Sequence, residues 1–419
     1  MTSYLHRIVI FARLVGLTAG YLVRRSWYWV MGYHADEGAT LLGRYVSEGL
    51  TRLGPLFVKL GQLVSAHRFW FRESFIRELG RLQDHVTPMS EAELEEVLSG
   101  YDVTKFGHFD RIPVASGSVA QVHSARLRDG TRVAVKVLRP HIRRDLQTNV
   151  AVVRWLVNLL SLVPSFGIFR LREHFCKVSD LLLMQTDFRR ETNDLEEFAR
   201  RHRHNKFIHI PKVHLDMCTS DVIVMEYIDG DRLTEIPDDI RPPPEELSRR
   251  ILGFVVRSVY LDGYFHCDLH PGNLLFRRSD RKICILDFGI TSRYDKGFVA
   301  LYSSLWRRIT HKEWDLASDE FLRIFPEDPE VMVRALEDPS RGPELRHRVR
   351  TLLRTHFDDE NKWDLVPCLR DTETLLSEYG THVSMRLNDI NVAIASVEGT
   401  NATIGSGIGM RIIHELSRA

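Results

Sequence analysis

No two cysteines of this chain stand in a C-x-x-C pair, and the five that occur (Cys176, Cys218, Cys267, Cys284 and Cys368) are odd in number and scattered over 419 residues. That spacing argues against both a disulfide framework and a zinc site, and a reducing compartment is the expectation. Net charge is nearly missing too, because 57 basic and 56 acidic side chains leave +1. With no strongly basic domain along the chain, the electrostatic footprint of a nucleic-acid binder is lacking. Repeats and low-complexity tracts are absent. In the first 34 residues the longest uncharged run is ten, against the roughly 20 that a membrane-crossing helix needs.

Those 34 residues are poor in acid and rich in arginine. Arg7, Arg13, Arg24 and Arg25 all precede the first acid, Asp36. On a helical wheel they fall within about 120°, leaving an apolar face with Trp27 and Trp29 nearby. An interfacial helix or a mitochondrial targeting segment has this pattern, and so does a helix that covers a core.

From Ala39 to Ser65 apolar residues recur at Val46, Leu50, Leu53, Phe57, Leu60 and Val64, a helical spacing with Gly54-Pro55 as its break. The period then changes. "VAQVHSARL" and "RVAVKVL" read as two strands that follow a small-residue loop and are joined by the hairpin signal Asp129-Gly130. Residues 141–163 and 171–204 read as helical and 221–230 as a strand; beyond a Pro-rich connection the pattern is helical except around 274–287. Four parts are expected: a basic amphipathic segment (1–34), a helical extension (35–110), a strand-rich nucleotide-binding lobe (111–230) and a helical lobe (231–419).

"HCDLHPGN" has the H-x-D-x-x-x-x-N spacing of a phosphotransferase catalytic loop, in which Asp268 can accept a proton and Asn273 can hold a metal. "ILDFGI" sets Asp287 between apolar flanks, a carboxylate suited to magnesium, and "VAVK" places Lys136 in a strand as a partner for phosphate. Lys136, Asp268, Asn273 and Asp287 in this order predict an α+β, bilobal protein-kinase-like fold with ATP and Mg2+ as cofactors. His266 and His270 stand four apart like metal ligands, but Pro271 and the loop favour structural hydrogen bonds; His123 reads as a packed strand histidine. Pieces of a regulated protein kinase are missing. No G-x-G-x-x-G precedes Lys136, Cys267 stands where an arginine would receive a phosphorylated activation loop, and no Ala-Pro-Glu follows "DFG".

Over about residues 35–300 the chain resembles the UbiB-like, aarF-domain-containing atypical kinases, on "KLGQ" at 59–62, "ASGSVAQVH", "VAVKVLRP", "TDFRRET", "HCDLHPGN" and "DFG". The resemblance implies a helical extension whose Lys59 and Gln62 fold across the site where a protein kinase admits peptide. It implies that Ala115, Gly117, Ser118 and Val119 form the nucleotide loop, and that Lys136 meets the α- and β-phosphates with Glu191 as its ion-pair partner. It gives Asp268, Asn273 and Asp287 the catalytic and magnesium roles, and the backbone of Glu226 and Tyr227 the adenine edge. Asp187 and Glu191, four apart, share a helix face, as they would in a plain solvated acidic stripe. The family's Glu-x-Asp is here Gln185-Thr186-Asp187, and an alanine of its loop is Gly117. Glycine is expected to free the loop to aim amides at phosphates, and Gln185 to loosen the Lys59 network, so that ATP enters more readily.

The expected function is that of a magnesium-ATP-binding, kinase-fold protein, a slow ATPase or small-molecule kinase supporting ubiquinone or prenyl-lipid metabolism. Its expected place is the matrix face of the mitochondrial inner membrane or a bacterial cytoplasmic membrane, with a lipid or small-molecule substrate, a protein-complex partner, and no nucleic acid. Two alternatives stay open: a pseudokinase scaffold that binds nucleotide without turnover, and an aminoglycoside- or choline-kinase-like phosphotransferase, against which "KLGQ" speaks.

Overall fold

The computed structural model describes residues 16, 35–53, 57, 58, 61, 73–80, 82, 87–160, 171–359 and 365–406. Apart from Gly16, the basic N-terminal segment lies outside them, and so do Lys59 and Gln62. The chain forms two compact units, each discontinuous in sequence. One takes the chain up to Arg201 with Pro211–Ile228 and Asp287–Ile290; the other takes His202–Ile210, Asp229–Leu286 and everything from Thr291.

In the first unit, α1 (Ala35–Leu53) and α2 (Glu73–Leu79) pack around Phe75, Ile76, Leu79 and Leu82. Gly61 of "KLGQ" belongs to this packing, since an added Cβ there would run into Leu82 and Leu50. The next helix, α3 (Glu91–Leu98), starts at a capping box in which Ser90 and Glu93 satisfy each other's backbone amides. A four-stranded antiparallel sheet follows, ordered β1 (Phe106–Ser116), β2 (Ala120–Leu127), β3 (Arg132–Leu138), β4 (Val222–Glu226). The Asp129-Gly130 turn closes the expected β2–β3 hairpin, with Gly130 at φ +85° and Thr131 N donating to Asp129 Oδ1.

Strand β1 was not expected. It begins inside the stretch read as a helical extension, and it carries Gly107, Pro113 and register shifts at three places, so no alternation marks it. Pro113 is tolerated because β1 is an edge strand. After α4 (Ile142–Leu160) and α5 (Leu171–Met184), α6 (Phe188–His202) begins afresh rather than continuing one long helix. Thr186 Oγ1 donates to Leu183 O and Asp187 Oδ1 accepts from Arg190 N, so two short polar side chains compete with the helix for its backbone.

The second unit holds a small sheet in which β7 (Leu274–Arg277) lies between β5 (Gly230–Arg232) and β8 (Lys282–Ile285), with the two-residue strand Ile208–His209 parallel to β8. Helix α7 (Pro244–Arg257) runs into a π-helical turn, Ser258–Asp262, that stops at Gly263 in the left-handed region, φ +60°. A side chain there would meet Val299 as well as strain the backbone. The chain leaves this turn as β6 (Tyr264–His266), paired antiparallel with β9 (Thr291–Arg293). These three-residue strands are too short to print a period on the sequence. Helices α8 (Lys296–Thr310), α9 (Trp314–Ile324), α10 (Pro329–Glu337), α11 (Gly342–Phe357), α12 (Leu365–Glu378) and α13 (Asn388–Ile404) complete the unit. No helix among the described residues is long and apolar enough to cross a membrane.

Candidate functional site

Strand alternation decides where Lys136 goes. Val133, Val135 and Val137 point into the apolar cluster shared with Leu94 and Leu98 of α3, each wholly buried, a contribution of about 1.5–3 kcal/mol per side chain as an upper bound. The residues between them face the other way, so Lys136 is delivered to the face where Leu138 packs with Phe188 and Ile223. There Lys136 Nζ donates to Glu191 Oε1 at 2.6 Å and to Asp287 Oδ2 at 2.8 Å, and stands 5.4 Å from the centre of the Phe188 ring. Burial works against the ammonium, but Asp287 and then Glu191 hold its pKa above the usual lysine range. Burial likewise drives the Glu191 carboxyl up to about 7, with the Asp287 charge adding to the shift and Lys136 opposing it. Two acids thus share one ammonium.

Asp287 is held twice. Its second oxygen, Oδ1, accepts the Gly289 amide at 2.8 Å, a tight side-chain turn within "DFG", and Phe288 N points at Glu191 Oε1 at 3.4 Å. Gln185 packs against Gly289. Asp187 does not act with Glu191 as a pair. It caps α6, whereas Glu191, in the first turn, holds Lys136.

The small-residue loop is shorter than the sequence suggests, since Ala115 lies in β1 and only Gly117–Val119 separates β1 from β2. Ser118 and Val119 are buried. The freedom expected of Gly117 is not used: its N–H donates to Ala120 O at 2.8 Å, and a Cβ would sit 3.4 Å from that oxygen, an ordinary contact. Its carbonyl accepts Arg139 Nε at 2.9 Å, while Arg139 Nη2 reaches Ser116 Oγ and Thr87 O. Arg139, which motif reading passed over, therefore ties the loop to the segment before α3. A second tie runs through "AQVH". Met89 N donates to Gln121 Oε1, which leaves the Gln121 amide to donate to His123 Nε2 and puts the His123 proton on Nδ1, facing Asp110 O. Burial holds the pKa of His123 below the usual imidazole range. His123 is thus the packed strand histidine expected.

In the second unit, "HCDLHPGN" is organised by its own backbone. Asp268 N donates to His266 Nδ1 at 2.9 Å and Gly272 N to His270 Nδ1 at 3.1 Å, so both imidazoles serve as acceptors of main-chain amides, a structural use rather than metal ligation. His270 Nε2 then carries its proton toward Asp268 Oδ2, 3.9 Å away. Asn273 Nδ2 donates to Asp268 O at 3.0 Å, which leaves its Oδ1 as the oxygen available for a cation. Leu286 N donates to Asn273 O, so the residue before Asp287 in the chain is fastened to the same loop. Among the described residues no group of three or more His, Cys, Asp or Glu side chains is placed to hold a metal. Magnesium asks for less, because it keeps waters and takes phosphate oxygens with only one or two protein oxygens.

At the end of β4, Glu226 N donates to Lys212 O and Glu226 Oε2 accepts Lys212 N, while the Arg132 guanidinium lies 3.6 Å from the centre of the Tyr227 ring. The Glu226 amide expected at an adenine edge is thus already engaged by Lys212.

A family model, "ABC1 atypical kinase-like domain", matches residues 81–319. The chain is 33% identical over 250 residues to an "Uncharacterized protein in hydrogenase 1 5'region" of Clostridium pasteurianum, covering 58% of this chain and 47% of that protein. It is 30% identical over 315 residues to the "Probable protein kinase UbiB" of Enterobacter sp. (strain 638), covering 70% and 57%. The chain thus spans about half the length of the curated relatives it matches. A Mycobacterium tuberculosis protein solved in complex with erythromycin superimposes with a TM-score of 0.54 at 21% identity over 85% of this chain and 90% of the other, which establishes a shared fold.

Proposed function

The chain belongs to the ABC1 atypical kinase-like family, and from that premise we propose that it binds magnesium-ATP and acts as a slow ATPase or small-molecule kinase. The observation that carries this reading is Lys136 held between Glu191 and Asp287, a strand cation joined to the carboxylate of "DFG". Lys136 is assigned to the α- and β-phosphates, with Glu191 aiming it. Asn273 Oδ1 and the Asp287 carboxylate are hard oxygen donors that suit magnesium, which when bound neutralises phosphate charge. Asp268 is assigned to accept the proton of the attacking hydroxyl or water, with His270 Nε2–H orienting it and Asn273 fixing its main chain. Ser118 and Val119 would flank the phosphates and the Glu226 carbonyl would take the adenine.

The acceptor is proposed to be a lipid or small molecule of ubiquinone or prenyl-lipid metabolism. The work would be done at a membrane face, that of the mitochondrial matrix or of a bacterial cytoplasm, within a protein complex. A scaffold without turnover is the second reading, favoured by the observation that both oxygens of Asp287 are already engaged. The deciding experiment measures nucleotide binding by thermal shift and phosphate release, each with and without magnesium, in the parent and in Asp268→Asn. Binding in both proteins, with turnover lost by roughly 10²-fold or more in the variant, is the expected result. Binding without turnover in the parent selects the scaffold, and no binding removes the proposal.

A further inference from the structure

We propose that Thr400 on α13 is a positioning residue for the loop that carries Asp268, an assignment that rests on the reading of Asp268 as proton acceptor. Helix α13 lies wholly outside the 81–319 stretch matched by the family model. Threonines inside helices usually return their hydroxyl to the carbonyl four residues earlier, and Thr310, Thr372 and Thr403 of this chain do so. Thr400 does not. Its Oγ1 donates to Leu269 O at 2.6 Å, across 131 positions of sequence, with both residues fully buried.

Leu269 directly follows Asp268, and its carbonyl belongs to the peptide that joins it to His270, so the bond anchors the main chain one residue beyond Asp268 and between Asp268 and His270. The rest of α13 is anchored to elements around the same loop. Asn401 Oδ1 accepts Ser248 Oγ of α7 at 2.8 Å, and Asp389 Oδ2 accepts Ser292 Oγ of β9 at 2.7 Å. Ser292 in turn pairs with Phe265 in β6, the strand that leads into the loop. A helix pinned at both ends therefore offers one hydroxyl to one carbonyl between its pins. Removing that donor leaves the Leu269 carbonyl buried without a partner, which the loop can relieve only by moving.

The test is Thr400→Val, equal in shape and lacking the donor, beside Thr400→Ser, which keeps it. Hydrogen–deuterium exchange of peptides spanning 265–276 should rise roughly tenfold in the Val variant and return toward the parent in the Ser variant. Magnesium-ATP turnover should show kcat falling by about the same factor with the nucleotide Kd unchanged. A general loss of packing would instead raise exchange throughout the unit and would not be rescued by serine. If Thr400→Val does not fold, Thr400→Ala carries the same expectation at smaller size. Loop exchange equal to the parent in Thr400→Val, or no rescue by serine, overturns the proposal. Absence of turnover in the parent counts against the assigned role of Asp268, while loop exchange still decides whether Thr400 holds the loop.

Discussion

Lys136 Nζ stands 2.8 Å from Asp287 Oδ2, so the cation of "VAVK" and the carboxylate of "DFG" are each other's partners. The two acids around Lys136 differ in environment, because the side chain of Glu191 is 1% exposed and that of Asp287 36%. Lys136→Met should therefore destabilise the protein strongly, by about 3–5 kcal/mol, since it leaves the buried Glu191 charge without a partner. Asp287→Asn should cost far less stability and remove magnesium-dependent nucleotide binding. Denaturant midpoints of the two variants, with and without magnesium and ATP, check the contrast; equal midpoints without ligand would contradict it.

The same triad has a pH signature. Burial and the Asp287 charge raise the Glu191 carboxyl in the folded state from an ordinary 4.5 to about 7, so the folded chain holds a proton that the unfolded chain releases. Stability from this group is fully present below about 4.5 and is lost as pH rises through about 7. Glu191→Gln should flatten that decline, and Asp287→Asn should reduce it by removing the like charge. Urea midpoints across this window, without divalent cation, provide the measurement; a parent and a Glu191→Gln variant with the same slope would rule the effect out.

Two glycines give opposite expectations. Gly117 lies outside the left-handed region with room for a Cβ, so Gly117→Ala should be neutral or stabilise by about 0.4–1 kcal/mol through the unfolded chain. Gly263, at φ +60° and against Val299, should lose more than about 1 kcal/mol as alanine. Thermal unfolding of both variants tests the pair. A large loss at Gly117 would restore the idea that the loop depends on its flexibility.

Arg139 supplies the fourth expectation. Its guanidinium spans Gly117 O, Ser116 Oγ and Thr87 O, a fork that lysine cannot reproduce. Arg139→Lys should loosen the loop at a cost of about 1–3 kcal/mol in stability and weaken nucleotide binding. Binding titrations and exchange of peptides covering 113–121 are the checks, and unchanged values in both would show that the clamp is dispensable.

Much of this was legible in the sequence where a physical signal is local. Asp129-Gly130 marked its hairpin, "VAVK" put Lys136 in a strand, and Pro271 kept His270 from being read as a metal ligand. Glu191 came from resemblance, because nothing in the spacing of residues 55 positions apart tells which acid a lysine will meet. Strand β1 was hidden by Gly107, Pro113 and its bulges, which erase the period on an edge. Arg139 and Thr400 were hidden for another reason: each acts by donating to main-chain oxygens, and a carbonyl carries no side-chain signature.

The interleaving of the two units bears on how the chain is made. Asp287–Ile290 belongs with the first unit although the residues on either side of it belong to the second. During synthesis the lysine strand and the glutamate helix must therefore wait for almost a hundred further residues, from Glu191 to Asp287, before the third charge arrives. A nascent chain halted after Ile228 would hold Lys136 and Glu191 without Asp287. Folding of that unit is tied to the emergence of the second, a long-range dependence that slows the search and exposes the half-made chain to chaperones and proteases.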